Sequence, residues 1–288
     1  ALSYVDPMMK YKDTAEGIGF YEFIKKLDKN FDSNAELLVK QLVRAQMCIF
    51  RKENLTLSLT GEFNFKSLLE GEMLQFNRML YEMPCVKAVP TFNMEKKNEG
   101  FKTASKVQYV ASGGCFEKEG QEYTGALKVL KTIFSYDYLW VNVRVTGGAY
   151  GCMCSFSRNG YGFFTSYRDP NLSATLNVYK KAAEYVRNFE AGQRDMTKYI
   201  IGTISGIDQP LEPAALGDRS FHAYQSGVTV EMIQKERNQV LDATEETIRS
   251  LAGYIETMMD AGTVCAIGND RKLEEEKELF KQVSSLTQ

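Results

Sequence analysis

Apolar positions along the 288-residue chain fall into recurring patterns, and the order of those patterns repeats. Leu38, Leu42, Ala45 and Ile49 recur at helical spacing, as do Ile248, Leu251, Ile255 and Met258. Such spacing lays apolar side chains along one face of an amphipathic helix. The two stripes predict helices over 35–50 and 244–259. Each lies beyond a shorter helical stretch whose opening glycine stands fifteen residues before an aspartate, Gly17 before Asp32 and Gly227 before Asp242. Each is followed by a short apolar strand ending at a glycine, 55–61 and 263–268, and then by a charged helix, 65–83 and 272–283. An offset of 210 superposes Gly17 on Gly227, Phe23 on Ile233 and Asp32 on Asp242. The two aspartates are candidate N-caps, and Glu245, three residues after Asp242, completes a capping-box pattern.

The second copy of this plan follows a long stretch of its own, residues 93–225, whereas the first follows only residues 1–15. The chain therefore reads as the C-terminal part of a first domain over 1–92 and a complete sister domain over 93–288. The boundary is expected at 83–90, where Pro84 and Pro90 bracket an extended linker. The chain has no start methionine and reads as the middle of a longer polypeptide.

Inside the second domain, residues 101–112 read as a strand that Gly113-Gly114 ends. Leu127, Leu130 and Phe134 predict an amphipathic helix over 122–134. Residues 136–145 are compatible with two states: Val141, Val143 and Val145 alternate as in a strand, yet the segment can also continue the helix. Residues 152–157 and 161–167 form a hairpin around Asn159-Gly160, a dipeptide suited to the positive φ angles of a tight turn. Asp169-Pro170-Asn171 opens a helix through Leu176, Tyr179, Ala183 and Val186. The prolines at 210 and 213 break the chain before a helix that carries His222.

Composition narrows the chemistry. A hydrophobic share of 44% is enough for a real core, and a net charge of −2 gives no global field that favours nucleic acid or an anionic membrane. No apolar run approaches the ~20 residues that span a bilayer, and the N-terminus lacks the basic-then-apolar order of a signal peptide. The six cysteines read as reduced, mainly buried thiols of a cytoplasmic protein. Cys152-Met153-Cys154 has the wrong spacing for a zinc knuckle or a redox pair. His222 is the one histidine, so a zinc site with two imidazoles one helical turn apart is excluded. A hydrolase built on His222 is the weakest reading, because no motif surrounds it and a structural role suffices.

The positive signal is Arg144-Val-Thr-Gly-Gly-Ala-Tyr150, followed by Ser166-Tyr-Arg-Asp-Pro-Asn171. Arginine is a fixed cation, and tyrosine at neutral pH is mainly a hydrogen-bond donor. Neither initiates a reaction alone, but together they suit holding a peptide carbonyl or stabilising an oxyanion. Gly147 and Gly148 make a tight turn that lets a peptide main chain approach closely. The stretch lacks the Gly-Lys-Ser/Thr ending and Gly-x-Gly-x-x-Gly spacing of nucleotide-binding loops. Arg168 and Asp169 read as parts of the turn that opens the next helix.

These two segments, with Gly17-Ile-Gly-Phe near the start and Ala266-Ile-Gly-Asn near the end, resemble the C-terminal half of the pitrilysin/insulinase zinc metallopeptidases, most closely the presequence-protease branch. The resemblance implies an α+β fold with two related helix-plus-antiparallel-sheet units of the half-domain type, the first incomplete. It implies catalytic roles for Arg144 and Tyr150 and substrate binding by Gly147, Gly148 and Arg144. The guanidinium would hold a substrate carbonyl, and the phenol would donate to the oxygen that becomes negative. It also implies peptide substrates and a partner in the N-terminal catalytic half of the same polypeptide. Zinc would be bound by that half, with no metal ligand and no independent activity expected in this chain. The alternative is a non-catalytic peptide-binding or assembly module of the same fold.

Overall fold

A computed structural model describes residues 1–62, 64–82, 90–117 and 121–286. The linker expected at 83–90 lies, apart from Pro90, outside the described residues. The chain forms two compact units, each discontinuous in sequence. One comprises Ala1–Asp13, Phe92–Gln209 and Val230–Gln288, and the other Thr14–Thr91 and Pro210–Thr229.

The smaller unit is helical. It contains only the last turn of α1 (Pro7–Glu16), then α2 (Ile18–Lys29), α3 (Phe31–Ile49), α4 (Phe65–Glu70), α5 (Glu72–Met79) and, from the later segment, α9 (Pro213–Gln225). The apolar stretch 55–61 forms no strand, and the charged helix expected over 65–83 breaks at Gly71. The predicted stripe on α3 does form on a helix, but Leu42 and Ile49 remain 59% and 62% exposed.

The larger unit is α+β. Its strands are β1 (Glu99–Thr103), β2 (Gln108–Cys115), β3 (Gly151–Phe156), β4 (Tyr161–Asp169), β5 (Cys265–Asn269) and β6 (Gln282–Ser285). They form one six-stranded sheet in the order β3-β4-β2-β5-β1-β6. The sheet is mixed rather than antiparallel. β2 pairs antiparallel with β4 and β5, and β3 with β4, but β1 runs parallel to both β5 and β6. Parallel neighbours need a long crossover, and here nearly the whole unit lies between β1 and β5. β6 also replaces the end of the charged helix expected over 272–283.

The helices of this unit are α6 (Ala126–Ile133), α7 (Ser173–Arg187), α8 (Gln193–Ile207), α10 (Val230–Leu241), α11 (Glu245–Ser250), α12 (Ala252–Asp260) and α13 (Asp270–Glu275). α12 packs on both α7 and β2. The stripe of the second repeat is in the core, with Ile248, Ile255 and Met258 fully buried. Its single expected helix is interrupted at Leu251. Thr244, not Asp242, is the N-cap: its hydroxyl accepts from the Thr247 N–H at 3.1 Å. Glu245 instead accepts from the Ala191 N–H at 2.9 Å and from Arg249, so the capping box does not form.

The strand expected over 101–112 is two strands, β1 and β2. Gly113-Gly114 lies inside β2 rather than ending it. A Cβ on Gly113 would stand 2.3 Å from the Gly162 carbonyl oxygen, and one on Gly114 would stand 2.4 Å from Ala261 Cβ. These glycines make room for β4 and the end of α12. The ambiguous segment 136–145 is helical. α6 continues as wide π-helical turns over Phe134–Tyr138 and Trp140–Thr146, a form that recurs at functional sites.

Candidate functional site

The π-helical turns end beside the sheet, and the chain re-enters it at β3. Three backbone bonds close the turn: Gly147 N–H to Asn142 O at 3.1 Å, Gly148 N–H to Arg144 O at 2.9 Å and Ala149 N–H to Val143 O at 3.1 Å. A Cβ on Gly147 would meet the Val143 oxygen at 2.5 Å, and Gly148 has φ +79°. Each glycine is thus required by the turn itself, one for space and one for backbone hand.

The second motif segment forms the platform beneath this turn. The buried Asp169 carboxylate accepts from Ser166 Oγ at 2.6 Å, Thr175 Oγ1 at 2.7 Å and the Asn171 N–H at 2.8 Å. Three donors compensate the loss of water around a buried carboxylate. Asn171 Nδ2 in turn donates to the Gly147 oxygen at 2.5 Å, and the Tyr150 N–H donates to the Arg168 oxygen at 3.2 Å. The Tyr150 and Tyr167 rings meet edge to face with centroids 5.5 Å apart. The two motifs recognised in the sequence are therefore one hydrogen-bonded assembly.

Arg144, Val145, Gly148, Ala149, Tyr150 and Arg168 line a recess of about 530 Å³. Arg144 lies with its guanidinium carbon 3.9 Å from the centroid of the Trp140 ring, one helical turn earlier. Tyr150 is 59% exposed. Among the described residues, neither the Arg144 guanidinium nor the Tyr150 hydroxyl has a hydrogen-bond or ion-pair partner. Gly147 is not among the lining residues; its oxygen is engaged by Asn171. Arg168, read from the sequence as a turn residue, does line the recess. Its guanidinium carbon is 5.3 Å from the Tyr150 ring centroid, and its backbone is left-handed at φ +48°. The sequence signal for it was a cation immediately before Asp-Pro-Asn, which the turn reading had absorbed.

The neighbouring thiols are not nucleophiles. Burial pushes Cys152 up to about 11, with the Arg144 cation opposing the shift, and burial pushes Cys154 up to about 12. A thiol so raised stays protonated and unreactive at neutral pH. Cys115 and Cys265 form no disulfide either. His222 is exposed on α9, in the smaller unit. Among the described residues, no group of three or more His, Cys, Asp or Glu side chains is placed to hold a metal ion. The described residues do not fit a zinc site. Among the described residues, no helix is long and apolar enough to cross a membrane.

A mixed sheet covered by helices, with a cationic recess at its edge, has the fold of a peptidase M16 half-domain. Residues 98–270 match the PreP C-terminal domain family, and the chain belongs to that family. It is 38% identical over 99% of its length to Protein HypA from Clostridium perfringens, covering 29% of that protein. It is 30% identical over 88% of its length to presequence protease 1 from Arabidopsis thaliana, covering 24% of it. The inactive domain of a peptidase M16 from Pseudomonas fluorescens shares the fold at 14% identity, with a TM-score of 0.51, over 75% of this chain and 52% of that one. The chain thus spans less than a third of the length of these two curated relatives.

The cytoplasmic expectation is corrected by these relatives. The plant protein is named chloroplastic/mitochondrial, and the fungal and amphibian presequence proteases that also match are named mitochondrial. These names point to organelles. Reduced thiols and near-neutral charge carry no information about which reducing compartment holds a protein, which is why the sequence argument failed here.

Proposed function

We propose that the chain is the C-terminal, non-zinc half of a zinc metalloendopeptidase that degrades short unfolded peptides. Arg144 holds a substrate main-chain carbonyl. Tyr150 donates a hydrogen bond to the oxygen that gains charge as the peptide bond is attacked, and Gly148 lets the peptide backbone pass close to the turn. The observation that supports this most directly is the pair of unpartnered donors, guanidinium and phenol, on the wall of one recess. Preorganised donors aimed at developing charge need no reorganisation during the reaction.

On this reading residues 1–92 are the C-terminal part of one α+β domain and 93–288 its complete sister, while by compactness residues 1–13 group with the larger unit and 210–229 with the smaller. The partner is the N-terminal half of the same polypeptide, which supplies the metal centre and the rest of the first domain. The unequal burial of the two repeats supports this: the same stripe is enclosed on α11 and α12 and exposed on α3.

The test is a peptidase and metal assay of the intact protein and of the 288-residue chain. Metal and turnover are expected only in the intact protein. There, Tyr150→Phe lowers kcat by about 10²–10³-fold, the usual effect of losing one oxyanion donor, with KM and the unfolding midpoint little changed. Wild-type turnover by the Phe variant removes Tyr150 from catalysis. An intact protein that binds peptides but neither holds metal nor cleaves them is the non-catalytic module instead.

A further inference from the structure

Arg168 has a backbone conformation that arginine does not favour. Its φ of +48° lies in the left-handed region, which disfavours a residue with a Cβ. Glycine or asparagine meets that need better. The turn is enforced on both sides, by the saturated Asp169 carboxylate and by the Tyr150 N–H on the Arg168 oxygen. The turn therefore explains the conformation but not the side chain.

The side chain shares the recess with Arg144. Among the described residues, neither guanidinium has an acidic partner. The adjacent carboxylate, Asp169, is buried and taken up by its three donors. Two unneutralised cations around about 530 Å³ repel each other, and the repulsion is relieved when an anion enters. A guanidinium offers paired N–H groups that match a carboxylate in two parallel hydrogen bonds. The Tyr150 face, 5.3 Å away, restricts where the guanidinium lies.

We propose that Arg168 is a specificity-determining residue that binds a carboxylate of the peptide, from an acidic side chain or the C-terminus, beside the carbonyl held by Arg144. This rests on the peptidase reading above and adds a charge preference to it.

The experiment uses the intact protein and matched fluorogenic peptides with Glu or Gln near the cleaved bond, each with a free or an amidated C-terminus. Arg168→Gly, which relieves the backbone and removes the cation, is expected to fold at least as well as wild type. It should raise KM about tenfold or more for the peptides whose carboxylate is read, leave kcat within about twofold, and leave KM for the Gln, amidated peptide unchanged. Arg168→Lys should restore part of the preference, since it keeps charge without the fork. The Glu/Gln and acid/amide comparisons identify which carboxylate is bound. An equal KM change across all the peptides, or no change in any, overturns the proposal. So does a uniform fall in kcat at constant KM, which would make Arg168 only a support for Tyr150. Binding of the same labelled peptides, followed by fluorescence anisotropy, separates the two claims. A carboxylate preference lost in Arg168→Gly without any cleavage sinks the peptidase reading and sustains this one. Cleavage with no carboxylate preference in the wild type does the reverse.

Discussion

Asp169 shows how much of the site depends on a residue that never meets the recess. Its carboxylate is fully buried and binds a β4 hydroxyl, an α7 hydroxyl and the main chain of Asn171. Asp169→Ala strands those donors, and a loss of about 2–4 kcal/mol is expected in urea unfolding. Because Asn171 also holds Gly147, the same variant should lower turnover in the intact protein more than it lowers peptide affinity. A variant as stable as wild type would show that the platform does not need the carboxylate. At this scale the placing of Arg144 and Tyr150 around one turn was legible, since their spacing about Gly-Gly is a local motif. Arg168 was not, because neither its backbone hand nor the recess is encoded in its neighbours.

Elements are joined by contacts that local patterns do not report. Glu236 on α10 binds Arg158 in the β3–β4 turn and Lys128 on α6, the latter at 2.9 Å. Burial alone would raise its pKa, but the hydrogen bonds from Arg158 and Lys128 prevail and hold it below the ordinary 4.5. The unfolded chain therefore binds this proton more readily than the folded one. The stabilisation is present above about pH 4.5 and is lost as pH falls through the lower folded value. Glu236→Gln should flatten that acid limb in a plot of unfolding midpoint against pH, and an unchanged limb would contradict the assignment. Gly113→Ala tests the close approach of β2 and β4. The obstacle 2.3 Å away is backbone, so a loss of about 3 kcal/mol is expected in thermal or urea unfolding. A loss near zero would mean the strands can part there. Both elements show why glycine was misread: a Gly-Gly pair looks like a strand end in sequence, yet here it serves lateral packing.

For the whole molecule, the two repeats carry the same stripe with opposite fates. Burying a large aliphatic side chain contributes about 1.5–3 kcal/mol, and α3 forgoes much of that at Leu42 and Ile49. In the 288-residue chain, Leu42→Asp should change stability by less than about 0.5 kcal/mol, while Ile255→Asp should abolish folding. In the intact protein the Leu42 variant should become strongly destabilising. Equal tolerance of Leu42→Asp in both contexts would show that nothing covers α3.

Short-range order was settled by the amino-acid sequence alone. The helical stripes, the Asn-Gly hairpin, the Arg-to-Tyr motif and the family resemblance depend on spacings of a few residues, and backbone geometry turns such spacings directly into faces and turns. Folding in three dimensions decided what depends on distant partners. The 136–145 segment became a π-helix, β1 found parallel neighbours in β5 and β6, and Arg168 joined Arg144 around one recess. Hydrogen-bond pairing and close packing across the sheet select among states that are locally near-equal, and that selection acts between residues far apart in the chain.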